Sequence, residues 1–556
     1  MSPAHAFKEM FTHLHVHSHF SFGIGVSSPE ALAEAAARRG FRALACTDTN
    51  GVYGAVEFQR ACAAVGVQPI LGAHLVAEGQ EVVALAINER GWGALCRAVT
   101  AIHWRTGRRL SAFLATDRDG LILLSRDTGF LEQTLRLSGP ENLYAELRPG
   151  RERHAVLAAA RRLSLPVVAT NGVVAAQAEE WSRHRLLRAI ALNTTLSALP
   201  SEEVWPTQAW LCPTDDLARH FPDCPEAIHA AAEIAERCTY IIPVGHRIVP
   251  PRVADTGGAF AQLRELTLEG ALGRYQELTP ALQERLDLEL GIIGQKGFAD
   301  YFLVVRDIVR NGPTHCGRGS VANSVVSYCL GITHVDPISS KLVFERFLNL
   351  ERSDPPDIDL DFPWDERDKV LAYVFRRYPR LHSAMVANHN TFQPRGALRE
   401  VAKVHGRPAG EIREVTRRIP YFYERGERLA DLVAGHPNFR GLHLATSWQE
   451  YARIAEGLVG IPRHLSVHAG GVVITPTPLT DYVPVEPAAK TLTDDPDLPV
   501  PVIQFEKDGT EDAGLVKIDL LGNRSLAVIR DAIDAVHGHT SHRIDYTSSW
   551  PATDEV

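Results

Sequence analysis

At 556 residues the chain is too long for a single hydrophobic core, and 45% hydrophobic with 22% charged residues is the balance of an ordinary globular protein, so three or so domains are expected. A formal charge of −9 excludes wholesale electrostatic attraction to nucleic acid, and any such contact has to come from local basic patches. The eight cysteines, at 46, 62, 96, 212, 224, 238, 316 and 329, form no Cys-x-x-Cys pair; they read as free thiols in a reducing cytosol and indicate no zinc site. No apolar run approaches the ~18 residues of a membrane span, and the N-terminus lacks a signal pattern, so a cytoplasmic protein with no membrane partner is expected.

From Phe11 to about Leu196 short apolar runs alternate with helical patterns. Candidate strands are Ala43–Cys46, Gln68–Leu71, Val82–Ile87, Leu121–Ser125, Leu143–Leu147 and Pro166–Thr170. Between the earliest lies Pro29–Arg39, a helix with Ser28 to cap it, Pro29 at its first position and Gly40 to close it. Repeated βα units imply a parallel sheet, open or closed, and a barrel is favoured. His13, His15 and His17 alternate at its start and share one face of an extended strand, a cluster suited to Zn²⁺ or Mn²⁺.

The runs HLHVHSHFS, ALACTDTNG, PILGAHL and PVVATNGV resemble the PHP family of metal-dependent phosphoesterases. The resemblance implies a distorted βα barrel with metals at the strand ends. It makes His15 and His17 the first ligand pair and Asp48 the acid of the second motif. Thr49 stands where the family has a histidine, His74 where it has a glutamate, and Gly172 and Val174 where an aspartate and a histidine are expected. Glycine and valine bind no metal, so the site is expected to be catalytically dead, with a structural role and a residual Zn²⁺ or Mn²⁺ at most.

After a helical connector at 225–238 and the Pro- and Gly-containing stretch from Pro243 to Gly258, a boundary falls at about residue 250. Leu282, Leu286, Leu290 and Ile293 then share one side of a helix. Cys316-Gly317-Arg318-Gly319-Ser320 leads into the apolar run VANSVVSYCLG, read as a helix ended by Gly331. A glycine-flanked Arg-Ser loop before a helix suits phosphate through Gly317, Arg318, Gly319 and Ser320, although a tight turn has the same composition. Further on, Asp357, Asp359 and Asp361 alternate with Ile358 and Leu360 on one strand face, where crowded carboxylates call for Mg²⁺; a solvated strand edge carrying acids would show the same pattern.

The order of phosphate loop, helix and carboxylate strand is that of a nucleotidyltransferase palm. The run from GRGSVANS to DPPDIDLDF closely resembles bacterial family C DNA polymerases, the DNA polymerase III alpha subunit family, with GRGSVANS and IPRHLSVHAGG leaning to the error-prone branch. The expected fold is α/β: a PHP βα barrel and helical connector over residues 1–250, then a polymerase-β-like palm over 251–389 and 476–556, with a helical thumb inserted at 390–475. The resemblance makes Asp357 and Asp359 the first two catalytic aspartates and Asp519 the third, holding two Mg²⁺ ions, with Lys517 an adjacent nucleotide-binding lysine. Arg395, Arg399 and Lys403, spaced four apart, form a stripe suited to DNA phosphates, and Arg413, Arg417 and Arg418 add positive charge. His464 and His468 have the i, i+4 spacing of a metal pair but no third ligand. Primer-template DNA, dNTPs and other replication or mutagenesis proteins are the implied partners. Fingers and C-terminal domains are missing, and the closing WPATDEV lacks a terminal helix, so an N-terminal portion of a polymerase is expected; a catalytically silent DNA-binding or assembly protein is the alternative.

Overall fold

The computed structural model describes residues 11–245, 249, 251, 258–312, 314–351, 356–378, 381–420, 428–442, 445–493, 495–540 and 544–545. Pro355, most of the stretch from Pro243 to Gly258, and Trp550 to Val556 lie outside the described residues. The chain forms two compact units, one of Met1–Ile242, His389–Ser466 and Thr480–Pro484, the other of Pro243–Asn388, Val467–Leu479 and Val485–Val556.

In the first unit six strands lie in sequence order: β1 (Ala43–Thr49), β2 (Gln68–Ala77), β3 (Gln80–Ala86), β4 (Leu121–Ser125), β5 (Leu143–Leu147) and β6 (Val167–Ala169). Parallel pairing holds for β1/β2, β4/β5 and β5/β6, but β3 is antiparallel to both its neighbours. The expected run of βα units is therefore interrupted. Only Glu78 and Gly79, both at positive φ (50° and 70°), join β2 to β3, and a two-residue turn of that hand makes a hairpin and leaves no room for a crossover helix. The segment His13–His17 closes the sheet on itself: Ala45 N and Thr47 N donate to the carbonyls of His13 and Val16, while on the other side His17 N donates to the Val173 carbonyl and Val173 N to the His15 carbonyl. A barrel results, with the histidine segment as its seam. The helix Pro29–Arg38 begins as expected, Ser28 Oγ accepting from Ala31 N with Pro29 in the first turn.

The helices Pro394–Val404, Ala409–Thr416, Leu429–Gly435 and Ser447–Glu456 belong to this first unit. Their Leu398, Val401, Leu432 and Trp448 share one apolar core with Leu186, Leu187 and Ala175. Burial of that surface, at about 25 cal/mol per Å², ties the inserted helices to the barrel unit.

The second unit is built on a seven-stranded mixed sheet of order β11-β12-β9-β10-β13-β8-β7. Its strands are β7 (Cys316–Arg318), β8 (Ile358–Pro363), β9 (Ser383–Thr391), β10 (Pro462–Ile474), β11 (Val485–Thr491), β12 (Pro499–Ile503) and β13 (Lys517–Asn523). Alternation decides its faces: Ile358, Leu360, Phe362, Ile518 and Leu520 are fully buried on one side, which leaves the aspartates between them on the other. The helix Pro280–Gln295 buries Leu282, Leu286, Leu290 and Ile293, the stripe read from their spacing. All eight cysteines are free thiols. No described helix is long and apolar enough to cross a membrane.

Candidate active site

β8 and β13 run parallel with Asp359 opposite Asp519, and this register puts the two carboxylates side by side. Asp357 precedes β8. Ligand oxygens of Asp357, Asp359 and Asp519 all lie within 4.8 Å of one another, an arrangement suited to hard divalent cations. Burial, and then the nearby charge of Asp357, raises the Asp359 carboxyl above its usual range against the opposing pull of Arg318. Lys517 Nζ sits 2.5 Å from Asp519 Oδ2 and 3.9 Å from Asp357 Oδ1, a buried ammonium among the acids. Asp361 shares the face but not the cluster: Arg318 Nε and Asn523 Nδ2 donate to it at 3.1 and 2.8 Å.

β7 pairs antiparallel with β8, so Arg318 lies opposite Asp359 and donates to its Oδ2 at 2.9 Å. Gly317 has to be glycine, because a Cβ there would stand 2.3 Å from the Ile332 carbonyl oxygen; Gly319 turns the chain at φ +76°. Ser320 Oγ donates to the Asp357 carbonyl at 3.3 Å. The helix expected after this loop is broken. A 3₁₀ turn, Gly319–Asn323, ends at extended Ser324, and only Val325–Cys329 is α-helical. The cause is Glu289, whose buried carboxylate accepts from Ser324 Oγ, Val325 N and Val326 N and takes the helix N-terminus that was expected to face phosphate.

Three further residues, none of them assigned to the carboxylates from the sequence, lie near them. Arg367 donates from Nε to the Leu520 carbonyl and from Nη2 to the Ala469 carbonyl, clamping the chain next to Asp519 and next to His468. Tyr301 donates to the Pro356 carbonyl, and burial together with Asp357, Asp519 and Asp359 raises its hydroxyl far above the usual range. His468 Nδ1 lies 3.8 Å from Asp519 Oδ1. The i, i+4 pair His464 and His468 falls on β10, an extended strand, where four residues span about 13 Å and cannot share an ion. Asn390 Nδ2 pairs with His464.

In the barrel, His15, His17 and His74 bring ring nitrogens within 4.8 Å of one another. His15 Nδ1 faces Glu146 Oε1 at 2.7 Å, and His17 Nδ1 faces Ser21 Oγ at 2.8 Å; Ser21 gives its own proton to Asp48 and so accepts from His17. Both Nδ1 hydrogens thus point outward, and the two Nε2 atoms meet at 3.0 Å, with a His74 ring nitrogen in the same cluster and neither nitrogen of that ring hydrogen-bonded. Inward lone pairs backed by outward carboxylates fit one Zn²⁺ or Mn²⁺ ion. Asp48 does not join this group. Ser18 N, Ser18 Oγ, Ser21 Oγ and Cys46 Sγ already fill its oxygens, which makes it a support of His17. Gly172 and Val174 add no ligand, and the Trp205 ring packs on Gly172, where a Cβ would meet it at 2.4 Å. Arg148 bonds Glu146 and stacks 4.9 Å from the same ring.

Arg395, Arg399 and Lys403 are exposed on the helix Pro394–Val404, with Lys403 Nζ 4.0 Å from Glu400. Arg417 and Arg418 lean on Glu414, which reduces the charge they offer.

A barrel with a histidine cluster, followed by a mixed sheet carrying three convergent aspartates beside a Gly-Arg-Gly-Ser turn, defines a PHP domain followed by a second α/β domain with an acidic site. The PHP domain family matches residues 13–159, and the bacterial DNA polymerase III alpha NTPase domain matches residues 261–522. The chain is 36% identical to the error-prone DNA polymerase of Symbiobacterium thermophilum over 95% of this chain and 52% of that protein. It is 35% identical to the error-prone DNA polymerase of Mycobacterium bovis over 93% and 50% of the two chains. To the DNA polymerase III subunit alpha of Bacillus subtilis it is 31% identical over 97% and 50%. The chain thus carries a PHP domain and a DNA polymerase III alpha domain, is similar over nearly all of its length to these bacterial DNA polymerase III alpha and error-prone polymerases, and spans about half the length of the curated relatives it matches.

Proposed function

We propose that the chain carries the palm of a cytoplasmic DNA-directed DNA polymerase of the error-prone type, which adds dNTPs to a primer 3′-hydroxyl. The convergence of Asp357, Asp359 and Asp519 on two hydrogen-bonded strands supports this reading. Their oxygens would hold two Mg²⁺ ions, which supply a lowered pKa at the attacking hydroxyl and charge neutralisation at the leaving pyrophosphate. Asp519 and Asp359 orient the primer end. Arg318, with Gly317, Gly319 and Ser320, is placed to bind triphosphate oxygens, exchanging its present carboxylate partners for phosphate. Lys517 keeps the acids from repelling one another and neutralises charge on the nucleotide. Arg395, Arg399 and Lys403 contact template or primer phosphates without reading sequence.

The barrel serves as a structural domain in which His15, His17 and His74 hold one Zn²⁺ or Mn²⁺ ion, without hydrolytic activity. Dialysed protein is expected to retain about one equivalent of metal, and elemental analysis showing none would remove that part of the proposal.

Primer extension by the 556-residue chain, beside an Asp357→Ala/Asp359→Ala variant, tests the polymerase. Extension by the unaltered chain and a loss of at least about 10³-fold in the variant are expected, since both metal ligands are gone. Salt-sensitive binding of primer-template without any extension would replace the proposal with a silent DNA-binding remnant.

A further inference from the structure

His468 stands beside the carboxylates with no part in the chemistry above. Its ring fits there because residue 471 is a glycine: a Cβ on Gly471 would lie 2.9 Å from His468 Nδ1 and 3.1 Å from Lys517 Cδ, while one on Gly470 would meet Leu521. The amides of both glycines orient the ring. Gly470 N and Gly471 N donate to Nδ1 at 3.2 and 2.7 Å. A ring nitrogen that accepts two amide hydrogens carries none itself, so the imidazole hydrogen sits on Nε2. Asp519 Oδ1, the carboxylate oxygen nearest the ring, has no hydrogen-bond partner, so the Nε2 hydrogen is not committed to it.

Strand order gives the side on which this donor lies. Across β10-β13-β8-β7 the carboxylates occupy the middle, with Arg318 opposite Asp359 on one flank and Gly471 opposite Asp519 on the other. In an in-line transfer the attacking hydroxyl and the leaving pyrophosphate lie on opposite sides of the phosphorus. With the Gly-Arg-Gly-Ser turn holding the triphosphate on the β7 flank, the β10 flank faces the primer. We propose that His468 is a primer-binding residue, its Nε2–H donating to a non-bridging oxygen of the primer's 3′-terminal phosphodiester and so holding the 3′-hydroxyl next to Asp519. This rests on the polymerase reading and names a substrate contact within it.

Fluorescence anisotropy with the 556-residue chain tests it, using labelled primer-template whose 3′-terminal linkage is either a phosphodiester or a neutral methylphosphonate. On the phosphodiester duplex His468→Ala is expected to weaken binding about ten-fold, the worth of one charge-assisted hydrogen bond. The unaltered chain is expected to lose a similar factor when the methylphosphonate is introduced, and His468→Ala to lose nothing further. His468→Gln, which keeps an N–H donor, recovers part of the affinity and guards against a merely misfolded alanine variant. Equal binding by the unaltered chain and both variants, or losses that multiply, would overturn the contact while leaving the polymerase intact. Failure of the unaltered chain to bind primer-template at all would overturn both.

Discussion

Between β8 and β13 the charged residues act on stability with opposite signs. Folding raises the Asp359 carboxyl above its ordinary range, because burial and Asp357 outweigh Arg318. A raised folded pKa contributes stability below the ordinary carboxyl range and loses it as pH rises through the folded value, so at neutral pH this carboxylate is a burden on the fold. Asp359→Asn is therefore expected to raise the melting temperature while abolishing primer extension. Asp519→Asn has the reverse effect on the fold: it leaves the Lys517 ammonium, whose side chain is 5% exposed, without its 2.5 Å partner, at a cost of about 3 kcal/mol. Urea unfolding of the two variants side by side reads the difference in sign, and equal shifts would show that Lys517 finds another partner. Alternation put Asp357 and Asp359 on one face of an extended segment, and the resemblance to the polymerase family singled out Asp519. The Lys517–Asp519 bond and the position of His468 were not, since both depend on β10, β13 and β8 being neighbours.

Among the elements, the loop before β8 shows how a tertiary contact overrides local pattern. VANSVVSYCLG has the composition of a helix, but Ser324 leaves helical geometry to cap Ser327 N, and Glu289 from the helix Pro280–Gln295 binds the start of Val325–Cys329. Arg285 Nε neutralises that carboxylate at 2.7 Å. Glu289→Ala would leave two amides and a hydroxyl without their acceptor, while Arg285 keeps its bonds to the Asn323 and Leu342 carbonyls, and a loss of about 3 kcal/mol is expected in chemical denaturation. Because Ser320 lies four residues before Ser324, the same variant at permissive temperature should also raise KM for dNTP. A change in stability with an unchanged KM would mean that the Gly-Arg-Gly-Ser turn is held by β7 alone. The hairpin between β2 and β3 illustrates the same limit, because one Glu-Gly turn reverses a strand that a βα count assigns to the parallel set.

On the scale of the whole molecule, the barrel unit contains a built-in sensitivity to acid. His13 and His184 are buried and His19 is half-buried, and desolvation pushes each imidazole from 6.5 down to about 4. His184 has both nitrogens engaged, donating to the Ile24 carbonyl and accepting from Trp205 N, so a second proton would break the latter bond. Below pH 6.5 the unfolded chain binds protons that the folded one refuses, and stability falls with acid until the folded values near 4 are reached. Each histidine contributes about 1.4 kcal/mol per pH unit over that window. Differential scanning calorimetry from pH 7 to 4.5 is expected to show the barrel transition dropping steeply, and His184→Gln to reduce the slope. A melting temperature independent of pH would contradict the neutral, buried state of these rings.

The amino-acid order by itself determined the elements whose cause is local. Ser28-Pro29 starts a helix, Leu282 to Ile293 form one apolar stripe, and the alternation at 357–361 sets which face carries its acids. Periodicities of 3.6 and 2 are properties of single segments and survive in the folded chain. Tertiary structure decided everything that depends on which segments meet. It joined His74 to His15 and His17, retired Asp48 to the support of a histidine, gave the helix N-terminus at Val325 to Glu289, and placed the inserted helices on the core of the barrel unit. It also set His468 next to Asp519 through two glycines whose only local trace was the absence of a side chain. A ligand set or a hydrogen-bond partner is a distance between strands far apart in sequence, and no window along the chain contains it.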